Sequence, residues 1–274
     1  MVSPHRHVWF KPFARTGYAA RGLVYIVIGF FAVLAAIGSG EQQGSRDALR
    51  TILDTPFGDV TAILLMCGMV SYLIWRFIQA IFDTDKHGLG FKGAAIRGGL
   101  IASGVTYGIL TVFTFGLWNG SQGNDGDGGG GSQIVDFIVS IVGSQAVAYA
   151  LTAVFIGVGI AHIAKAVRKG YARHFEAPQR VMDFVHPIAR TGLTARGLSF
   201  LVVAFLLFYR GLNAGGEGSP TPGVEDALSF VQGLPFGGIL LGAMGVGLTA
   251  FAVYSILEAV WRRINVEDAD AIGR

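Results

Sequence analysis

The chain has 274 residues, is 52% hydrophobic and only 14% charged, and carries a formal net charge of +3 with a mean hydropathy of +0.54. A soluble domain usually carries about 25% charged residues, so this composition excludes one. The one cysteine, Cys67, excludes an intrachain disulfide, and the six scattered histidines offer no metal-ligand set.

Residues 1–13 are basic and aromatic, with Trp9 and Phe10 beside Arg6 and Lys11. That composition suits the headgroup level of a bilayer. Then come stretches free of Asp, Glu, Lys and Arg: Gly22 to Gly40, Val60 to Trp75, Gly98 to Asn124, Phe137 to Ala164, Gly197 to Tyr209 and Ala227 to Leu257. A span needs about 20 mostly apolar residues. The shorter runs reach that length once Arg76, Arg196 and Arg210 sit near span ends, where long side chains reach headgroups. The sequence predicts an all-α membrane protein with six transmembrane helices, at roughly 14–38, 57–82, 93–118, 141–167, 189–212 and 235–261. Pro12 and Pro187 are placed in first helical turns. Short amphipathic stretches precede each even span: Ala48, Leu49, Ile52 and Leu53; Ile134, Val135 and Ile138; Leu228 and Val231.

The 41 glycines fit the same reading, because helix association in lipid relies on small residues that admit close backbones. Of all Lys and Arg, only Arg46, Arg50 and Arg210 fall on the far side of this topology. That bias predicts cytoplasmic termini and a multi-pass plasma-membrane protein. It argues against nucleic acid as the partner of the basic residues.

One phrase recurs. Gly17-x-x-x-Arg21-Gly22, Gly93-x-x-x-Arg97-Gly98 and Gly192-x-x-x-Arg196-Gly197 each open an odd span. The first and third copies extend to Ala-Arg-Thr-Gly-x-x-Ala-Arg-Gly, adding Arg15 and Arg190. Asp47-Ala48-Leu49 and Pro56-Phe57-Gly58 return as Asp226-Ala227-Leu228 and Pro235-Phe236-Gly237. The even spans close at matching positions, Gln79, Lys165 and Glu258, each followed by Ala. The chain therefore reads as three tandem two-helix hairpins: 14–88, 89–180 with a Gly-rich outer loop at 119–133, and 181–264, followed by a tail at 265–274. Parallel repeats are related by an axis along the membrane normal, so the expected closed form is pseudo-threefold. The repeated span pairs resemble the bacterial domain of unknown function 1206 family. That resemblance implies three tandem two-helix units and no catalytic residue.

The glycines Gly17, Gly22, Gly93, Gly98, Gly192 and Gly197 are candidates for close helix packing. An Arg in the first turns of a helix is opposed by the helix dipole. It must find an acceptor, either the free C-terminal carbonyls of a neighbouring span or a lipid phosphate. Arg21, Arg97 and Arg196, with Arg15, Arg190, Gln79, Lys165 and Glu258, are thus the candidate residues. They form either an anion or headgroup site or a set of joints between repeats. Glu258 is expected to pair with Arg196 or Arg262. His162 has no carboxylate at similar depth and reads as a hydrogen-bonded packing residue. The loop with Asp125 and Asp127 only faintly resembles a calcium loop and reads as a linker. No nucleophile elbow, zincin pair or kinase phrase is present.

The expectation is a non-enzymatic scaffold or accessory subunit, without cofactor or metal. Its partners would be membrane lipids, including anionic headgroups at the cytoplasmic face, or another membrane protein. The alternative is a small-molecule channel or transporter with its path on the pseudo-threefold axis.

Overall fold

The computed structural model describes residues 10–38, 49–51, 53–54, 56–83, 88, 90–120, 144–212 and 224–263. Its helices are α1 (Phe10–Ala36), α2 (Gly58–Phe82), α3 (Phe91–Trp118), α4 (Ser144–Val167), α5 (Gln179–Leu212), α6 (Val224–Gln232) and α7 (Gly237–Trp261). Six of these, all but α6, are long and apolar enough to cross a bilayer. The Trp9 segment, Asp125 and Asp127, the stretch from Ile134 to Ile138 and the tail 265–274 lie outside the described residues.

Helix α5 starts ten residues before the expected 189 and carries Pro187 in its interior rather than in its first turn. The residues before Pro187 hold this extension by burial. Val185 is fully buried, and Tyr171 packs on the His186 ring with centroids 5.8 Å apart. The Tyr171 hydroxyl donates to the His186 carbonyl at 3.3 Å and lies 3.0 Å from His186 Nδ1. Burial pushes the Tyr171 phenol up from its ordinary pKa.

Around the bundle, α1 packs on α2, α2 on α3, α4 on α5, α5 on α7, and α7 on α1. These are the neighbours that a ring of three hairpins requires, with one exception. Among the described residues, α3 and α4 share no extended contact. The short helix α6 packs on α5 and α7, with Leu228 and Val231 buried, and Leu49 is buried at the corresponding place in the first hairpin.

The first and third hairpins are joined by the same contacts. A methyl group at Gly17 would stand 2.6 Å from Tyr72 Cβ, and one at Gly192 would stand 2.5 Å from Phe251 Cα. Tyr72 and Phe251 occupy matching places ahead of Gln79 and Glu258. Likewise Gly68 meets Ala20 and Gly247 meets Ala195. Where hairpins meet, Gly22 of α1 faces Ile256 and the Ala252 carbonyl of α7, and Gly197 of α5 faces Ile163 and the Gly159 carbonyl of α4. Gly93 is buried. Gly98 departs from the expected packing role: a methyl group there would meet nothing within 4 Å. Helix α3 approaches α2 through Gly104 and Gly108 instead, against Phe77 and Leu73.

Candidate functional site

The end of the bundle where α1 begins holds a layer of interlocked rings. Tyr18 meets Tyr72 edge-on at 5.5 Å, Tyr72 meets Tyr107 at 4.5 Å, Tyr25 meets Phe251 at 4.9 Å, and Phe251 meets Tyr254 at 6.0 Å. Such stacks present π faces on which guanidinium groups settle. Arg21, Arg76, Arg196, Arg262 and Lys165 all lie over these rings.

Arg21 and Glu258 form the centre. Helix α1 crosses α7 closely because Gly22 and Gly29 give it room. That brings Arg21 Nη2 to 2.5 Å from Glu258 Oε2, with both side chains almost fully buried. Arg21 also donates from Nη1 to the Tyr72 hydroxyl at 2.7 Å and from Nε to Ser255 Oγ at 3.0 Å. The other carboxylate oxygen accepts from Arg262 Nη1 at 2.5 Å and from the Tyr254 hydroxyl at 2.9 Å. A buried carboxylate is tolerable only with its lone pairs filled, and these partners fill them. The expected pairing with Arg262 is present. Arg196 is not among the partners of Glu258, because Arg21, Arg262 and Tyr254 already occupy both oxygens.

Arg76 donates to the Tyr72 hydroxyl and to Gln79 Oε1, the latter at 2.9 Å, and Trp75 Nε1 donates to the Tyr18 hydroxyl at 3.2 Å. A lid closes this layer. After the 3₁₀ turn Ala172–His174, Phe175 bridges to Arg262, the Glu176 amide donates to the Trp261 carbonyl at 2.9 Å, and the Arg263 amide donates to the His174 carbonyl at 2.8 Å. Outside the lid, Arg263 and Glu176 make an exposed pair at 3.3 Å.

The other candidate residues fall in three places. Arg97 donates from Nε to the Ala80 carbonyl at 2.5 Å and from Nη2 to the Ile81 carbonyl at 3.1 Å, closing the end of α2. Its guanidinium therefore binds a neighbouring helix terminus, apart from the ring layer. Arg15 and Arg190 are exposed, and Arg190 borders a largely apolar groove of about 720 Å³ between α5 and α7. Arg196 and Lys165 are half-buried in the ring layer. Arg196 lies over Phe251 at 4.4 Å, Tyr25 at 4.9 Å and Phe200 at 5.2 Å, and Lys165 Nζ lies 5.8 Å from the Tyr254 ring. His162 is hydrogen-bonded through Nδ1 to the Val158 carbonyl at 2.9 Å and packs on Phe200.

Sequence reasoning missed Tyr72, Arg76, Trp75 and Tyr254 as members of this layer. A signal was available: the aromatic pairs Tyr72/Phe251 and Trp75/Tyr254 hold matching places in the two best-matched hairpins. Among the described residues no group of His, Cys, Asp and Glu could hold a metal ion.

The family model described as Domain of Unknown Function (DUF1206) matches residues 16–83 and 191–262, just over half of the chain. The two segments are the first and third hairpins, the pair whose internal contacts coincide. The uncharacterized protein YxxB of Bacillus subtilis (strain 168) is 27% identical over 266 residues, which is 94% of each chain. No solved structure matches the chain.

Proposed function

We propose that the chain, which belongs to the domain of unknown function 1206 family, is a non-enzymatic membrane scaffold or accessory subunit that engages lipid or a partner protein through its basic end. One observation carries this reading: six hydroxyls of the described membrane helices are bonded back to their own helices. Thr106, Thr111, Thr114, Thr152, Ser199 and Thr249 each donate to the carbonyl one turn back on their own helix. Hydroxyls turned back in this way commit their protons to their own helices. At the basic end Arg21, Arg262 and Tyr254 are likewise hydrogen-bonded to Glu258. We read that end as cytoplasmic, with both termini, because the basic residues concentrate there.

The test is flux through proteoliposomes. The scaffold reading expects potassium, chloride and a small neutral sugar to cross no faster than in protein-free vesicles. Flux that rises in proportion to reconstituted protein overturns it in favour of a path through the bundle.

A further inference from the structure

The repeat makes Arg21 and Arg196 equivalent, yet their surroundings differ in one respect. Each of the three side-chain acceptors that Arg21 uses is replaced around Arg196. Where Arg21 donates to the Tyr72 hydroxyl, Arg196 has Phe251, which has none. Where Arg21 donates to Ser255, the matching residue of the neighbouring even helix is His162, whose Nδ1 is spent on the Val158 carbonyl. Where Arg21 pairs with Glu258, the matching residue is Lys165.

The consequence is visible in the hydrogen bonding. Among the described residues, Arg196 donates no side-chain hydrogen bond, and its Nε is buried without a partner. The Lys165 ammonium makes none either; it lies over the Tyr254 ring and within electrostatic reach of Glu258. Both cations stand within electrostatic reach of His162. A guanidinium without a hydrogen-bonded counter-charge at membrane depth is costly. The nearby carboxylate of Glu258 is hydrogen-bonded to Arg21, Arg262 and Tyr254 instead. The position held at one joint by a carboxylate is held at the other by a lysine.

We propose that Arg196 and Lys165 form a binding site for a phosphate group, the anion standing where Glu258 stands at the equivalent joint. A guanidinium binds phosphate through paired N–H donors and an ammonium adds a point charge. A phospholipid headgroup and free phosphate offer this same chemistry. The site deepens the scaffold reading and rests on it for the choice of a lipid source.

The experiment uses the full chain purified in phosphate-free detergent, with Arg196→Gln and Lys165→Gln as variants and Arg190→Gln as the exposed control. One arm counts phosphatidylglycerol retained in native mass spectrometry after nanodiscs of phosphatidylglycerol and phosphatidylcholine. The other titrates inorganic phosphate against thermal unfolding. The wild type and Arg190→Gln are expected to retain phosphatidylglycerol, with affinity falling about tenfold or more in each site variant, the loss of one charge-assisted contact. Retention of the lipid without a phosphate effect assigns the site to a headgroup. A phosphate effect without lipid retention assigns it to the free anion. No effect in either arm overturns the site, as does equal binding by wild type and both site variants. Secondary structure by circular dichroism separates lost binding from lost folding. Vesicle flux remains the test of the scaffold reading: flux with intact phosphate binding sinks that reading and keeps the site, and silent vesicles without phosphate binding do the reverse.

Discussion

Replacing Glu258 with Gln keeps the size of the side chain and removes its charge. In the structure that charge is shared by Arg21 and Arg262, each 2.5 Å away, and all three side chains are no more than 6% exposed. With the carboxylate gone, two guanidinium groups remain buried without a counter-charge. Breaking a buried pair in this way costs about 3–5 kcal/mol. For a chain of this size each kcal/mol moves the midpoint by about 2–4 °C, so a fall of about 10 °C is expected for Glu258→Gln. The assay is thermal unfolding in phosphate-free detergent, followed by circular dichroism. Glu176→Gln is the internal comparison, because its pair with Arg263 is more than half exposed on both sides. Exposed pairs contribute about 0–1 kcal/mol, a shift of no more than about 4 °C. If Glu258→Gln falls no further than Glu176→Gln, the reasoning about the buried joint is wrong.

The glycines sort by what surrounds them. Gly192→Ala would drive a methyl group to 2.5 Å from the Phe251 backbone, and overpacking of that kind costs about 1–3 kcal/mol; a lowered unfolding midpoint in the same assay checks it. Gly98→Ala meets open space and should be neutral or stabilising by up to about 1 kcal/mol through helix propensity. A destabilised Gly98→Ala would mean that α3 is packed there after all.

Most of the architecture was legible in the sequence. Charge-free runs of membrane length mark six helices, and the Gly-x-x-x-Arg-Gly phrase marks where α1 and α5 cross their neighbours. The chemistry of each crossing was less legible, because a phrase repeated three times meets three different partners. Arg21 meets a carboxylate, Arg97 meets backbone carbonyls and Arg196 meets aromatic rings. Those differences are written in the even helices, at Glu258, Gln79 and Lys165, whose mixed signs already spoke against three equal sites. The early start of α5 was hidden for a local reason. Pro187 reads as a helix opener, yet the packing of Val185 and His186 around Tyr171 carries the helix past it. That the described residues of α3 and α4 share no extended contact has no sequence signal beyond the weaker repeat in the middle hairpin, which also lies outside the matched family segments.

The central claim is that one frame of helix contacts holds two arginine joints, one neutralised by the chain and one left for an external anion. The most direct measurement is the unfolding midpoint of Lys165→Glu in phosphate-free detergent. The substitution places a carboxylate at the repeat position that matches Glu258. A charge-assisted pair contributes about 1.5–3 kcal/mol, so the midpoint should rise by about 5 °C and lose its response to added phosphate. A midpoint that falls, with the phosphate response intact, would contradict the account.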